Sequence, residues 1–430
     1  MTATPAYHDA LETRDPSQRE AEQMAKLARQ IAHAQVHAPA FTELLRDVRA
    51  STITTRAALA QLPVTRKHEL LERQKAQRGT DVFGGFSAIG WGAQHTQGRG
   101  ALRVYASPGT IYEPEGRGTD YWRMARALFA AGFRAGDLVH NSFSYHFTPA
   151  GLMMETGAHA LGCTVFPGGT GQTEQQVNAM AELKPSAYIG TPSFLKLILE
   201  KAAEMGVALP SHTKASVGGE AFMPSLRDWL AERGVVAYQS YGTADLGLIA
   251  YETSARQGLV LDEGVIVEIV RPGTGDPVSE PKAGQPPEVG EVVVTTLNPD
   301  YPLIRFGTGD LSAVLPGPCP TGRTNTRIKG WLGRADQTAK VRGMFVHPSQ
   351  VADIVRRHPE VSKARLVISG EMANDKMALH VETGHALEGL AEHIAQSIRD
   401  VTKLRGDVVL CAAGSLPNDG KVIEDARRYE

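Results

Sequence analysis

From Ala101 onward the chain repeats one pattern: a short apolar run, a small-residue turn, then a stretch with helical spacing. The spacing predicts strands over Leu102–Ala106, Asp137–Phe143, Cys163–Phe166, Ser186–Ile189, Lys214–Val217 and Val235–Gln239. Between them it predicts a helix capped by Asp120, with Tyr121, Met124, Ala125 and Leu128 on one face and ended by Gly132, and helices over Ala150–Leu161, Thr173–Leu183, Ser193–Met205 and Met223–Arg233. A chain that alternates in this way can bury its apolar runs in few arrangements. The expected one is a mostly parallel sheet covered by helices on both faces. Ligands of such sheets bind beyond the carboxyl ends of the strands. Three turns stand there: Ser107–Thr110 (S-P-G-T), Gly218–Glu220 (G-G-E) and Tyr241–Asp245 (Y-G-T-A-D). They are expected to converge on one crevice.

The flanking regions differ. Residues 1–100 read as a helical lead-in, with helices over Glu20–Val36 and Arg66–Arg73 and no residue of obvious chemical role. Residues 101–257 are the α/β part. Over 258–335 the helical period vanishes, and short Val/Ile-rich runs between Gly/Pro turns predict an antiparallel sheet or small barrel. Residues 336–430 form a compact α+β segment: a strand over Ala339–Phe345, a helix over Pro348–His358, a hairpin of Lys363–Ser369 with Met377–Val381, a helix over Leu387–Leu404 and a strand over Val408–Cys411. At 430 residues the chain exceeds a single core, so a large domain over 1–335 and a small one over 336–430 are expected. A net charge of −2 argues against a nucleic-acid or anionic-membrane surface. The three distant cysteines suit a reducing compartment, and no apolar run reaches membrane-spanning length. A soluble cytoplasmic protein is the expectation.

Tyr301–Gly343 carries the densest chemistry. Y-P-L-I-R-F reads as a buried strand, and G-T-G-D as a tight turn that delivers Asp310 to the rim of a sheet. A carboxylate there either caps its turn or accepts hydrogen bonds from two neighbouring hydroxyls. A second turn, Gly333–Asp336, precedes the change of character at the domain junction.

Taken in order, these motifs resemble the adenylate-forming superfamily, and most closely its phenylacetate–CoA ligase branch. G-C-T-V-F-P-G-G-T-G-Q-T-E-Q-Q-V and V-R-G-M-F-V-H-P-S-Q-V are both similar to that branch. The resemblance implies a large α/β domain, a small mobile C-terminal domain and an ATP-dependent acid–CoA ligase that works through acyl-AMP. It implies ATP, Mg²⁺ and CoA together with a small carboxylic acid, and it is compatible with a homodimer. Gly218, Gly219 and Glu220 correspond to the adenine-contacting turn. Tyr241, Gly242, Thr243 and Asp245 correspond to Y-G-x-T-E, whose ring stacks on adenine and whose carboxylate holds the metal. Here Asp245 stands where the family has glutamate, and Ala244 where it has a hydroxyl residue. Asp310 matches the ribose-binding aspartate, Arg334 the arginine of the following turn, and Asp336 the hinge. Lys421, in L-P-N-D-G-K, matches the catalytic lysine of adenylation. Tyr145, His146 and Phe147 correspond to the acyl pocket, and an aromatic wall suits an aryl or other flat acid.

One motif departs from the family. Its phosphate loop reads S-S-G-T-T-G-K-P, whereas Ser107–Pro114 reads S-P-G-T-I-Y-E-P. Ser107, Gly109 and Thr110 are kept, but Pro108 removes a backbone donor and Glu113 replaces the lysine. The expectation is either a loop with weakened hold on the distal phosphates or a lid whose Glu113 points into solvent. The alternatives to a CoA ligase are an adenylate-forming ligase with an amine or carrier-protein acceptor, and a nucleotide- or acyl-binding protein that has lost adenylation.

Overall fold

The computed structural model describes residues 6–92, 100–107, 110–279, 285–337, 339–341, 344–370, 376–384, 389–417 and 421–427. The chain divides into two compact units. The first comprises Met1–Thr308 with Ala313–Gly330, the second Gly309–Ser312 with Trp331–Glu430.

The first unit is organised by a nine-stranded sheet. Its parallel half runs Val236–Thr243, Lys214–Val217, Ala187–Gly190, Leu138–Asn141 and Thr164–Pro167 in spatial order. The helices Ala150–Ala160, Thr173–Leu183, Pro192–Glu204 and Pro224–Ala231 fall where their spacing predicts them, within two residues at each end. The turn after Asp120 differs. Asp120 adopts a left-handed φ of 48°, and its carboxylate accepts from the N–H groups of Met124 and Ala125. The helix therefore begins at Ala125, four residues later than the pattern suggests. Beyond Val236–Thr243 the sheet continues antiparallel through Gly247–Glu252, Leu259–Leu261 and Arg327–Ile328 to Val314–Leu315.

The β-rich part is an open sheet rather than a barrel. Thr65–Arg66, Phe306–Ser312, Gly290–Thr296 and Val265–Val270 lie side by side in that order, without closing on themselves. The long helix Pro16–His37 lays Met24, Leu27, Ile31 and Ala34 on this sheet, in one core with Val265, Val292 and Phe306. The strand Phe306–Ser312 runs straight through G-T-G-D, so Asp310 lies within a strand and not at its closing turn. Arg305 precedes it, buried among Glu268 and main-chain carbonyls.

The segment read as a phosphate loop is a two-stranded hairpin, Arg103–Ser107 against Ile111–Glu115. Ala106 faces Tyr112 and Tyr105 faces Glu113. The proline in I-Y-E-P hides the second strand from a pattern reading, but Pro114 stands in a two-stranded ribbon where a missing N–H can go unnoticed.

The second unit packs the helices Pro348–Arg356 and Leu390–Thr402 against a four-stranded sheet. The sheet order is Asp407–Ala412, Lys376–Thr383, Val361–Ser369 and Ile423–Asp425. The last strand lies in what the sequence suggests is a tail, and it pairs parallel with Leu366–Ile368. The strand expected over Ala339–Phe345 is instead two short antiparallel ones, Ala339–Val341 and Met344–Val346.

Candidate active site

Four turns leave the carboxyl ends of adjacent parallel strands in the first unit, and they meet. The Gly218–Glu220 turn needs glycine at its centre: Gly219 has φ +79°, a region L side chains rarely adopt. The space over Gly219 is bounded by Phe143, whose Cε1 lies 3.5 Å from the position a Cβ would take, and by Thr191 at 3.7 Å. Glu220 accepts from the N–H of Ser193 at 2.7 Å, which ties this turn to the start of the preceding helix, Pro192–Glu204. Gly218 lies against the carbonyl of Ser240, so the two glycines and Tyr241 share one rim. Tyr241 is half-buried, and its hydroxyl donates to Thr308 Oγ1 at 3.3 Å. Gly242 and Thr243 complete the strand, and Thr243 Oγ1 accepts from the N–H of Leu246.

Asp245 is the buried end of this turn, its side chain 1% exposed. Its Oδ2 accepts from Lys67 Nζ at 2.8 Å. Its Oδ1 has no hydrogen-bond partner among the described residues. Beside it is Glu113, fully buried, whose Oε1 accepts from Ser107 Oγ at 2.6 Å while Oε2 is likewise unpartnered. Burial first, and the neighbouring Asp245 charge second, push the Glu113 carboxyl up to about 9. Glu113 does not point into solvent: its place in the hairpin buries it. Ser107 is correspondingly committed to Glu113. Thr110 is exposed with φ 59°, and its carbonyl accepts from Arg78 Nη2 at 3.1 Å. Gly109 and Pro108 lie outside the described residues.

Lys67 is the residue that sequence reasoning missed. It opens the helix Lys67–Gln77, whose Gln74 also holds the main chain of Tyr112 through both of its amide atoms. The only hint in the sequence is a lysine at a helix start, which reads as an ordinary surface residue. Its partner lies 178 residues away.

In the acyl segment, Tyr145 donates to Glu155 at 2.7 Å and accepts from Asn141 at 2.8 Å. Burial first, then Glu155, holds its phenol well above the usual range. His146 is exposed, and Phe147 is 81% exposed at a left-handed φ of 60°. Of this aromatic run, Phe143 is the ring that reaches the Gly219 turn.

The remaining motif residues belong to the second unit. Asp310 Oδ1 accepts from Arg334 Nη1 at 3.2 Å and from Trp331 Nε1 at 3.0 Å. Gly309 has φ +73°, and a Cβ there would come within 2.6 Å of Arg334 Nη2. Asp336 lies in the short turn Ala335–Gln337, and Lys421 is exposed just ahead of the last strand.

Residues 119–298 match the family model described as AMP-binding enzyme. The phenylacetate–coenzyme A ligase of Thermus thermophilus is 30% identical over 96% of this chain and 96% of its own length. The chain belongs to the phenylacetate–coenzyme A ligase family. The corresponding ligase of Aromatoleum evansii is 28% identical, covering 95% of this chain and 94% of the relative. The fold matches an open conformation of 2-hydroxyisobutyryl-CoA ligase, solved with its acyl-AMP and CoA, at a TM-score of 0.83 and 23% identity over 99% of this chain and 95% of that one. Where the family motif has its phosphate loop, Arg103–Ser107 pairs with Ile111–Glu115 in a hairpin held by Gln74.

Among the described residues no cluster of three or more His, Cys, Asp or Glu is placed to hold a metal. Two carboxylate oxygens without partners do fit a hard cation that takes its other ligands from water and substrate. Among the described residues no helix is long and apolar enough to cross a membrane.

Proposed function

We propose that the protein is an ATP-dependent carboxylic acid–CoA ligase for an aryl or other small flat acid. The observation that carries the adenylation chemistry is the meeting of Gly218–Glu220 and Tyr241–Asp245 at the ends of adjacent parallel strands. Glycine lets the main chain approach a flat base, and the Tyr241 ring offers a stacking face. The acid carboxylate attacks the α-phosphorus of ATP, and pyrophosphate leaves. The CoA thiol then attacks the acyl carbon, and AMP leaves.

Asp245 and its neighbours would hold Mg²⁺, which neutralises phosphate charge when bound. Lys421 would offer a point cation to the carboxylate and α-phosphate as charge develops. Asp310 would accept from the ribose hydroxyls, and Asp336 would be the pivot that exchanges Lys421 for CoA between the half-reactions. The preference for a flat acid is supported by Phe143, which faces the Gly219 turn. The test is a panel of acids incubated with ATP, with and without CoA, read by mass spectrometry. Acyl-AMP without CoA and acyl-CoA with it are expected for aryl acids. Acyl-AMP that never yields a thioester would point to another acceptor, and neither product with any acid would reject the reading.

A further inference from the structure

Lys421 lies in the second unit, exposed, one residue ahead of Val422. A lysine carries its charge on a flexible four-carbon stem, so the reach of the ammonium is set by where the main chain is held. Both main-chain polar groups of Val422 are held. Its carbonyl accepts from the N–H of Leu366 at 2.9 Å, where the pairing of Ile423–Asp425 with Leu366–Ile368 starts. Its N–H donates to Gln337 Oε1 at 2.8 Å, on a side chain 85 residues earlier. The segment that leads towards Lys421 is held as well. The Leu416 N–H donates to Glu382 Oε1 at 2.6 Å, and the Pro417 carbonyl accepts from Lys363 Nζ at 2.9 Å and from Arg365 Nη2 at 3.2 Å. Leu366, Lys363, Arg365 and Glu382 all belong to the two central strands of the four-stranded sheet. Gln337 does not. It closes the turn Ala335–Gln337 and follows Asp336 directly.

We propose that Gln337 is a positioning residue: it ties the main chain beside Lys421 to the turn that holds Asp336, and so sets where the Lys421 ammonium is presented. The strand itself does not depend on this bond. Ile423 is 3% exposed in the core of the second unit, and its pairing with Val361–Ser369 holds it there. The bond adds a fixed distance between Lys421 and the turn. Val422 N–H is a donor, so the oxygen of the Gln337 amide is the atom that faces it. A change of dihedral angle at Asp336 moves the Gln337 side chain, and through it the N–H of Val422. Precision matters at this point, because a misplacement of about 1 Å can cost a reaction about a hundredfold in rate. The role rests on the ligase reading above, in which Lys421 serves adenylation and Asp336 is the pivot; the bond itself does not.

Amide hydrogen exchange of the full chain and single-turnover kinetics test this together. Gln337→Met keeps the length of the side chain and removes the acceptor. Exchange of the peptide spanning Val422 is expected to quicken about fivefold, the scale for losing one hydrogen bond. Acyl-AMP formation is expected to slow about tenfold or more, while thioester formation from supplied acyl-AMP stays within about twofold of wild type. Gln337→Glu keeps an oxygen acceptor and is expected to restore both readings. In a Lys421→Ala background Gln337→Met is expected to cost nothing further, because the group it positions is gone. Should Gln337→Met not fold, Gln337→Ala is read in the same way. Unchanged exchange at Val422 would overturn the tie. Equal slowing of both half-reactions, or the same slowing in the Lys421→Ala background, would overturn the positioning role and leave Gln337 a structural residue. No acyl-AMP from wild type with any acid would fail the ligase reading, and the exchange at Val422 would still decide the tie.

Discussion

Arg305 stands in the middle of the Tyr301–Asp310 motif, yet its guanidinium is 2% exposed and does structural work. Nε donates to Glu268 Oε2 at 3.0 Å, Nη1 to the carbonyls of Ala60 (2.8 Å) and Leu62, and Nη2 to the carbonyl of Gly275 at 2.7 Å. These contacts tie the lead-in segment and the 271–279 loop to the start of the strand that presents Asp310. The residue also holds a left-handed φ of 45°. Arg305→Met would leave Glu268 buried without its hydrogen-bonded ion-pair partner and take the Arg305 donor from three carbonyls. Removing one partner of a buried pair costs about 3–5 kcal/mol, and that range already includes the stranded charge. Against a typical total of about 5–15 kcal/mol the loss is large, so the urea midpoint should fall sharply. The assay is equilibrium unfolding of wild type, Arg305→Met, Glu268→Leu and the double variant. The double variant should recover most of the loss, because an apolar pair strands no charge. A single variant within about 1 kcal/mol of wild type, or a double variant that costs the sum of the two singles, would refute the argument.

Three further outcomes follow from the geometry. His212 is 3% exposed with neither ring nitrogen partnered among the described residues, and burial lowers its pKa from 6.5 to about 3. A folded value below the unfolded one means that its contribution is full above pH 6.5 and is lost as pH falls from 6.5 towards 3. About 1.4 kcal/mol should be lost one unit below the unfolded value, and His212→Phe should flatten the urea-midpoint profile over that range; an unchanged acid limb would clear His212. Asp310→Ala should weaken ATP binding about tenfold, the low end for charge-assisted bonds, because Asp310 must first release Trp331 and Arg334. Unchanged affinity by calorimetry would remove Asp310 from the site. Lys421→Ala should slow acyl-AMP formation by about two to three powers of ten and spare thioester formation from supplied acyl-AMP. Equal damage to both half-reactions would reject a role confined to adenylation.

The parallel half of the large sheet was legible because each of its elements is set by neighbours in sequence. An apolar run, a glycine and a helical period suffice for Lys214–Val217 or Thr173–Leu183. The turns at the strand ends were legible for the same reason. Boundaries failed where a long-range partner decides them. Phe306–Ser312 passes through two glycines because its first residues pair with Thr65–Arg66, some 240 positions earlier in the chain. Ile423–Asp425 becomes a strand because Leu366–Ile368 offers it an open edge. The electrostatics of the site were the least legible part. Asp245 could be named from its motif, but its burial, its ammonium partner and its carboxyl neighbour come from residues 67 and 113, and nothing local to either announces a pairing.

Ile111, Tyr112, Glu113 and Pro114 look like four losses when set against a glycine-rich, hydroxyl-rich phosphate loop. In the fold each has a place. Ile111 is 2% exposed and joins the main core of the first unit, where a threonine hydroxyl would need a partner. Tyr112 is pinned through its main chain by Gln74, with Arg78 over its ring at 5.8 Å. Glu113 meets Ser107 and Asp245, and Pro114 pairs across the ribbon with Val104. A mobile loop has to be flexible, and these substitutions all remove flexibility. They fit a hairpin built to stay in one place. A fixed hairpin cannot close over a triphosphate and bring a lysine with it. In the proposed ligase the charge that meets the phosphates would then have to come from elements outside the loop, and the helix that braces the hairpin begins with Lys67.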